Sequence, residues 1–273
     1  MPRGLDHIVH VVRDLDAAAD AYRSLGFTVG ARNRHAWGTH NHIVQFPGFF
    51  IEILTVAEPE KLGDDGFSVM FGEHHQRFLE RHEGFSMLLL ESQDASADER
   101  EFVRARIAAS SAMRFEREAR RPDGTEVKVA FSLAFARDPD APDIGLAVCQ
   151  QHYPENFWNP DFQHHANGAT GVRGVVMVAS DPAEHARVMS AFAGGEACQF
   201  SSDQFTIQTP RGDITVTKPA VFQDRFGVAA PDVSEGARLA ALRLAVKVGS
   251  AAPVVASDQL FGATLVFEAV EPR

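Results

Sequence analysis

Two histidines stand in the opening stretch Gly4–Phe27, GLDHIVHVVRDLDAAADAYRSLGF, where His7 and His10 lie among Ile8, Val9, Val11 and Val12. An imidazole in such a run can bind a divalent metal, move a proton or simply pack. Strand alternation puts Leu5, His7, Val9 and Val11 on one face, and Asp6, Ile8, His10 and Val12 on the other. The two histidines therefore do not serve one ligand. Glu52 sits inside Phe49, Phe50, Ile51, Ile53 and Leu54, where a carboxylate is costly to bury without a cation or hydrogen bonds. A metal, His7 or an arginine would compensate it. One imidazole and one carboxylate on facing strands, with a third nitrogen or oxygen donor, make an open site for a divalent metal. A His–Glu hydrogen bond without metal is the structural alternative. His152 precedes Tyr153-Pro154 at a strand end and is a candidate third ligand or general base. Gln150 shares its face and could ligate or orient a substrate.

The stretch His35–His42, HAWGTHNH, carries His35, His40 and His42 and also supplies neutral groups. Gly38, Thr39 and Asn41 suit a carbonyl or hydroxyl of a small molecule, or else serve a turn and strand start. Trp37 and Trp158 are candidates to wall a pocket or to pack in the core. Most of the twelve histidines precede Gly84, which marks the first part of the chain as the functional half. Glu73–Gly84, EHHQRFLERHEG, lacks the HExxH spacing of a metal helix and reads as a solvated helix face carrying His74, His75 and His82. His164 and His165 read the same way, before a turn at Asn167-Gly168.

A repeated unit must position these residues. Leu5–Val12 reads as a strand, Asp14 as an N-cap, and Leu15, Ala18, Ala19 and Tyr22 as a helical stripe ended by Gly26. Strands at Phe27–Arg34, His42–Phe46 and Phe49–Val56 complete a βαβββ order. The order returns from Gly84–Glu91, through a helix at Ala97–Ala109, to strands at Met113–Arg120, Val127–Ala136 and Ile144–His152, with a turn at Pro122–Gly124. A third copy starts at Val172–Ala179 with a helix at Pro182–Phe192. A fourth runs from Leu239–Val246 to Ala263–Ala269, with little room for a helix. Such repetition outweighs any single element.

The 273 residues, 45% hydrophobic, suffice for a sizeable core. A net charge of −11 argues against a nucleic-acid partner. Cys149 and Cys198 make no disulfide framework and no CxxC knuckle, and read as small buried thiols. No apolar run approaches the ~20 residues of a membrane span, and no signal core opens the chain. The expectation is a cytoplasmic protein without membrane contact.

The βαβββ copies opening with LDHIVHVVRDLDAAADAYRSLGF resemble the vicinal oxygen chelate superfamily of glyoxalase I, extradiol dioxygenases and bleomycin-resistance proteins. Trp37–Leu54, Cys149–Trp158 and His164–Val172 are similar to motifs of its glyoxalase-like-domain members. The resemblance implies an α+β fold of βαβββ modules paired into cupped mixed sheets. Residues 1–155 would be a module pair with the site, 156–169 an ordered linker, and 170–273 a degenerate pair that braces the first or mediates a homodimer. It further implies metal ligands on first and fourth strands, matched here by His7 and Glu52. The module-two first-strand position falls near Phe85, which cannot ligate, and Gln150 stands nearest the fourth-strand carboxylate. His7, Glu52 and His152 are the expected ligands of one divalent metal, whether zinc, iron, manganese, nickel or cobalt. Glu52 or His152 would move a proton. Gly38, Thr39, Asn41, Gln150, Trp37 and Trp158 would contact a small-molecule substrate. The implied function is a glyoxalase-like enzyme that binds vicinal oxygens, of lyase or isomerase type before ring-cleaving dioxygenase. The alternative is a metal-free binding or resistance protein.

Overall fold

The computed structural model describes residues 1–63, 66–120, 124–198, 200–247 and 254–270, with the backbone alone of 119, 120, 197 and 198. The first unit runs β1 (Leu5–Val11), α1 (Leu15–Ser24), β2 (Asn33–Arg34), β3 (Thr39–Phe46) and β4 (Phe49–Val56). Asp14 caps α1 by accepting from the Ala17 N–H at 2.9 Å. The helix buries Leu15, Ala18, Ala19 and Tyr22, the stripe its spacing predicts. A π-turn at Ser68–Glu73 continues into α2 (His74–Arg81). The second unit follows as β5 (Gly84–Glu91), α3 (Ala95–Ala105), β6 (Met113–Arg120), β7 (Glu126–Ala136) and β8 (Gly145–Gln151).

These strands form one eight-stranded sheet in the order β2-β3-β4-β1-β5-β8-β7-β6. β1 runs parallel to β4 and antiparallel to β5, so the two units join through their first strands. After the short α4 (Pro154–Phe157) comes a third unit: β9 (Ala169–Val178), α5 (Pro182–Ala193), β10 (Ala197–Cys198), β11 (Gln204–Gln208) and β12 (Asp213–Thr217). Helix α6 (Pro219–Phe226) precedes β13 (Arg238–Lys247), β14 (Val254–Val255) and β15 (Thr264–Val270). The second sheet has seven strands, β10-β11-β12-β9-β13-β15-β14. It repeats the first sheet's plan, with β9 parallel to β12 and antiparallel to β13.

The two sheets share a core. Ile8 and Leu88 of the first, Leu242 and Leu265 of the second, and Leu15, Phe102 and Phe192 of α1, α3 and α5 belong to one buried cluster. The outward faces form two cups. The first carries Val9, Val11, Leu54, Met87, Leu89 and Cys149, roofed by Phe71 and Phe78. The second carries Val176, Val178 and Val266, covered by Phe222 of α6. Deep in the second cup Arg243 holds both Asp213 and Glu268.

His10 faces the shared core. Its Nδ1 accepts from the Tyr22 hydroxyl at 2.9 Å and its Nε2–H donates to the Phe261 carbonyl at 3.0 Å. It is a strut between the first unit and the last.

Several expectations change. Only Asn33–Arg34 of the stretch Phe27–Arg34 pairs as a strand; Gly30 N–H also bonds the Ile43 carbonyl of β3 at 2.9 Å, but three residues from Gly30 to Asn33 oppose two from Ile43 to Asn41, so the ladder is interrupted between them. The helix of Glu73–Gly84 is no solvated face: His75 and Phe78 are buried against the cup, and His74 bonds the Ser86 carbonyl. Helix α6 carries no strong apolar period and escapes sequence reading. The turn expected at Pro122–Gly124 falls largely on 121–123, outside the described residues, as does the Cys198 side chain. No helix among the described residues is long and apolar enough to cross a membrane.

Candidate functional site

A cavity of about 740 Å³ opens in the first cup. Its floor is β1 and β4, its far wall is β6 and β7, and its rim is the strap that follows β8. The strap is tied down by Gln45 of β3, which donates to the Phe157 carbonyl at 2.9 Å and accepts from the Asn159 N–H at 3.0 Å. Aromatic side chains make most of the wall. Phe50, Phe157 and Trp158 pack on one side, with ring centroids 4.9–6.0 Å apart. Trp37, Phe67 and Phe115 pack on the other at 4.8–5.2 Å.

Polar groups are few and joined into two chains. His7 is stacked on Phe50, centroids 4.1 Å apart. Its Nδ1 lies 2.5 Å from Asp6 Oδ1. Asp6 also accepts from the Gln151 amide at 3.1 Å. With Nδ1 bonded to a carboxylate, Nε2 is the nitrogen left for a substrate or an ion. Asp6 reaches this face because β1 slips its register against β5 between Leu5 and His7. That bulge turns Leu5 to the shared core and Asp6 to the cup, against the strict alternation expected of the sequence.

The second chain is centred on Glu52, two residues beyond Phe50 on the same face of β4. Its Oε1 accepts from Asn41 Nδ2 at 2.5 Å, and Asn41 Oδ1 accepts from Asn33 Nδ2 at 2.9 Å. Burial raises the Glu52 pKa, opposed by His7, the Asn41 bond and Arg117 in that order. His35 bonds Thr39 through Nδ1 at 2.8 Å, and burial first, then Arg117 and His40, lower its pKa to about 3. The cavity thus holds a neutral imidazole, a carboxyl biased toward its protonated form and an Asp6-backed histidine. That set can accept and return a proton.

Among the expected residues, His7, Glu52, Asn41, Trp37 and Trp158 line the cavity, whereas Gly38, Thr39, Gln150 and His152 do not. His152 bonds Ser132 Oγ at 2.8 Å. Ser132 alternates on β7 with the cup-facing Phe131 and Leu133, so His152 lies on the opposite face of the sheet. Gln150 shares that face and accepts from the Ala95 N–H at the start of α3. The strand instead turns Cys149 toward His7. His7, Glu52 and His152 therefore do not meet as one ligand set. Gly38 has φ +91°, and a Cβ there would collide with the Glu58 carbonyl, so it makes a turn. Thr39 orients His35.

One group of three donors does converge. Asp6, His7 and Cys149 are the only His, Cys, Asp or Glu side chains among the described residues whose ligand atoms all lie within 4.8 Å of one another. Burial, then the Asp6 and Glu52 carboxylates, push the Cys149 thiol well above its ordinary range. A carboxylate, an imidazole and a thiol are donors that could hold a divalent ion, whose charge would reverse that push. Alternation hides Asp6, and an apolar strand hides Cys149. Arg117 escaped sequence reading, although the interleaving of charge and Phe115 on β6 was an available signal, and His35 stood out in its histidine-rich stretch without a role.

The fold and this chain's composition place it among known proteins. The family model described as glyoxalase-like domain matches residues 5–192. No curated protein matches the chain. A hypothetical protein from Staphylococcus aureus superposes with a TM-score of 0.75 at 12% identity, covering 98% of this chain and 100% of its own. A mutant 4-hydroxymandelate synthase from Streptomyces coelicolor superposes with a TM-score of 0.56 at 13% identity, covering 90% of this chain and 71% of its own. At these identities the likeness is one of fold. With a family match over most of its length, the chain belongs to the glyoxalase-like domain family.

Proposed function

We propose that the protein is an enzyme that moves a proton on a small, largely apolar substrate bearing a carbonyl or paired oxygens, a lyase- or isomerase-type reaction. The observation that carries this reading is the placement of Glu52 and the Asp6-backed His7 on one face of neighbouring strands, inside an aromatic cavity. Glu52, biased toward its protonated form, would donate to an oxygen or return a proton to carbon. His7 Nε2, fixed as an acceptor by Asp6, would take the proton in the first step. The aromatic walls exclude water and hold the substrate plane. Ring cleavage is the weaker reading, because the second histidine of a two-histidine, one-carboxylate set stands on the other face of the sheet.

A divalent metal would find its donors in Asp6, His7 and Cys149, with Glu52 beside them. When bound, it would supply Lewis-acid polarisation of paired substrate oxygens. The metal-free binding protein remains the second reading. It is favoured by Phe50 and Leu89, which take the positions directly beside His7 on β4 and β5.

Hydrogen exchange tests the reading. Untagged protein, with its metal content measured, is incubated in D2O with a panel of small aryl ketones and 2-oxo acids, and deuterium at the adjacent carbon is followed by NMR. Catalysed exchange is expected for at least one compound, with a loss of about 10²–10⁴-fold in Glu52→Gln. Exchange that survives in both Glu52→Gln and His7→Gln overturns the assignment. Binding without any exchange passes the site to the second reading.

A further inference from the structure

Among the described residues, Arg117 is the one arginine or lysine that lines the cavity. It lies two residues from Phe115 on the inward face of β6. Its Nη1 makes a long hydrogen bond to the Glu118 carbonyl at 3.4 Å. No carboxylate among the described residues forms an ion pair with it. Its strand neighbour Glu116 is engaged by Lys128 and Arg114. Burial lowers the Arg117 pKa and only Glu52 opposes that shift. A guanidinium drawn partly out of water without a counter-ion is uncompensated until something binds it. A second donor stands nearby: Trp37 Nε1 is buried with no hydrogen-bond partner among the described residues, and Trp37 packs on Phe115 at 5.2 Å.

We infer that the ligand is a monocarboxylate with a flat apolar body, its carboxylate held by Arg117 and its body between the rings of Phe50, Phe115, Phe131 and Trp158. The planar fork of a guanidinium matches a carboxylate through two parallel hydrogen bonds. One cation also sets the charge. A single guanidinium balances a monoanion and leaves the second charge of a dianionic phosphate unmet inside a largely aromatic cavity. The inference rests on the proton-transfer reading in one respect: a carboxylate anchored at Arg117 leaves the other end of the molecule for His7 and Glu52. Its charge would also hold Glu52 protonated.

Phenylacetate and its uncharged counterpart phenylacetamide test this. Both tryptophans of the chain, Trp37 and Trp158, line the cavity, so their fluorescence reports its occupancy. The wild-type protein is expected to bind phenylacetate about tenfold or more tightly than phenylacetamide, the worth of a charge-assisted hydrogen bond. Arg117→Gln should bring the two within about twofold, by weakening phenylacetate alone, and Arg117→Lys should restore part of the preference. Equal affinities in the wild type, a preference that survives Arg117→Gln, or binding of neither probe overturns the proposal. The exchange experiment separates it from the catalytic reading. Lost selectivity with Glu52-dependent exchange intact removes the carboxylate ligand alone. Selectivity without exchange removes proton transfer alone.

Discussion

His7 Nδ1 lies 2.5 Å from the carboxylate of Asp6, its immediate neighbour in the chain, and both side chains face the first cup. Adjacent residues of a regular strand point to opposite faces. The register slip between Leu5 and His7 makes the pairing available, and with it a fixed orientation of the ring.

That relationship sets the first expectation. In Asp6→Asn the negative charge behind the imidazole is gone. Nitrogen-15 NMR should find the Nδ1–H tautomer dominant in the wild-type protein and mixed tautomers in the variant. Zinc affinity, measured by titration, should fall about 10–100-fold, the usual cost of losing the carboxylate behind a metal-binding histidine. An unchanged tautomer and unchanged zinc affinity would leave Asp6 no role beyond packing.

The same bulge shows what could be read in advance. The repeat, the strand spans and the helix at Leu15–Ser24 follow from apolar spacing and caps, and spacing puts His7 and Glu52 on the cup face. Period two then carries Gln150 and His152 into the site in place of Cys149, because the anchoring of β8 depends on its pairing with β7, and register is not written in a single strand. Arg117 was missed for a related reason. Its neighbours in sequence are charged and exposed, and only the curl of the sheet turns every second residue of β6 inward.

Glu52 couples function to stability with a definite sign. Its folded pKa is raised, so between the unfolded value near 4.5 and the folded one the native state holds more protons than the unfolded chain. Stability is therefore complete below pH 4.5 and declines as the pH rises through the folded pKa. Glu52→Gln removes the ionisation while keeping an acceptor for Asn41. Its urea midpoint should match the wild type near pH 4 and exceed it at pH 8. A variant less stable than the wild type at pH 8 would show that the carboxylate is better solvated than its surroundings imply.

His10 has the opposite dependence. Fully buried, it titrates at about 4 when folded, against 6.5 unfolded. Between these values the unfolded chain binds more protons, so stability is complete above pH 6.5 and is lost as the pH falls toward 4, by roughly 3 kcal/mol. His10→Gln can still meet Tyr22 or the Phe261 carbonyl and does not titrate. Denaturation curves taken from pH 7 to pH 4 should fall less steeply for the variant. Parallel curves would place the acid sensitivity with the other buried histidines, among them His35 and His75.

The second cup makes the last case. Gly174 of β9 pairs in register with Asp213 and Arg243. With no side chain on β9, the space above Gly174 is taken by the Asp213 carboxylate and the Arg243 guanidinium, and a Cβ there would come within 2.5 Å of Asp213 Oδ1 and 2.9 Å of Arg243 Nη1. Arg243 donates to Glu268 through Nε at 2.7 Å and Nη2 at 3.0 Å, and to Asp213 through Nη1 at 2.8 Å. The cup whose first strand lacks a histidine is thus closed by an internal cation between two carboxylates. Removing it alone strands Asp213 and leaves Glu268 only the half-exposed Arg173 at 3.6 Å, so Arg243→Leu should cost about 3 kcal/mol in urea unfolding. The triple variant Arg243→Leu, Asp213→Asn, Glu268→Gln should recover most of that loss, since no unpaired charge remains. Probe binding in the first cup should be unchanged in both. A single variant as stable as the wild type would mean that water already carries the two carboxylates, and a triple variant no better than the single would place the loss in packing of the arginine stem.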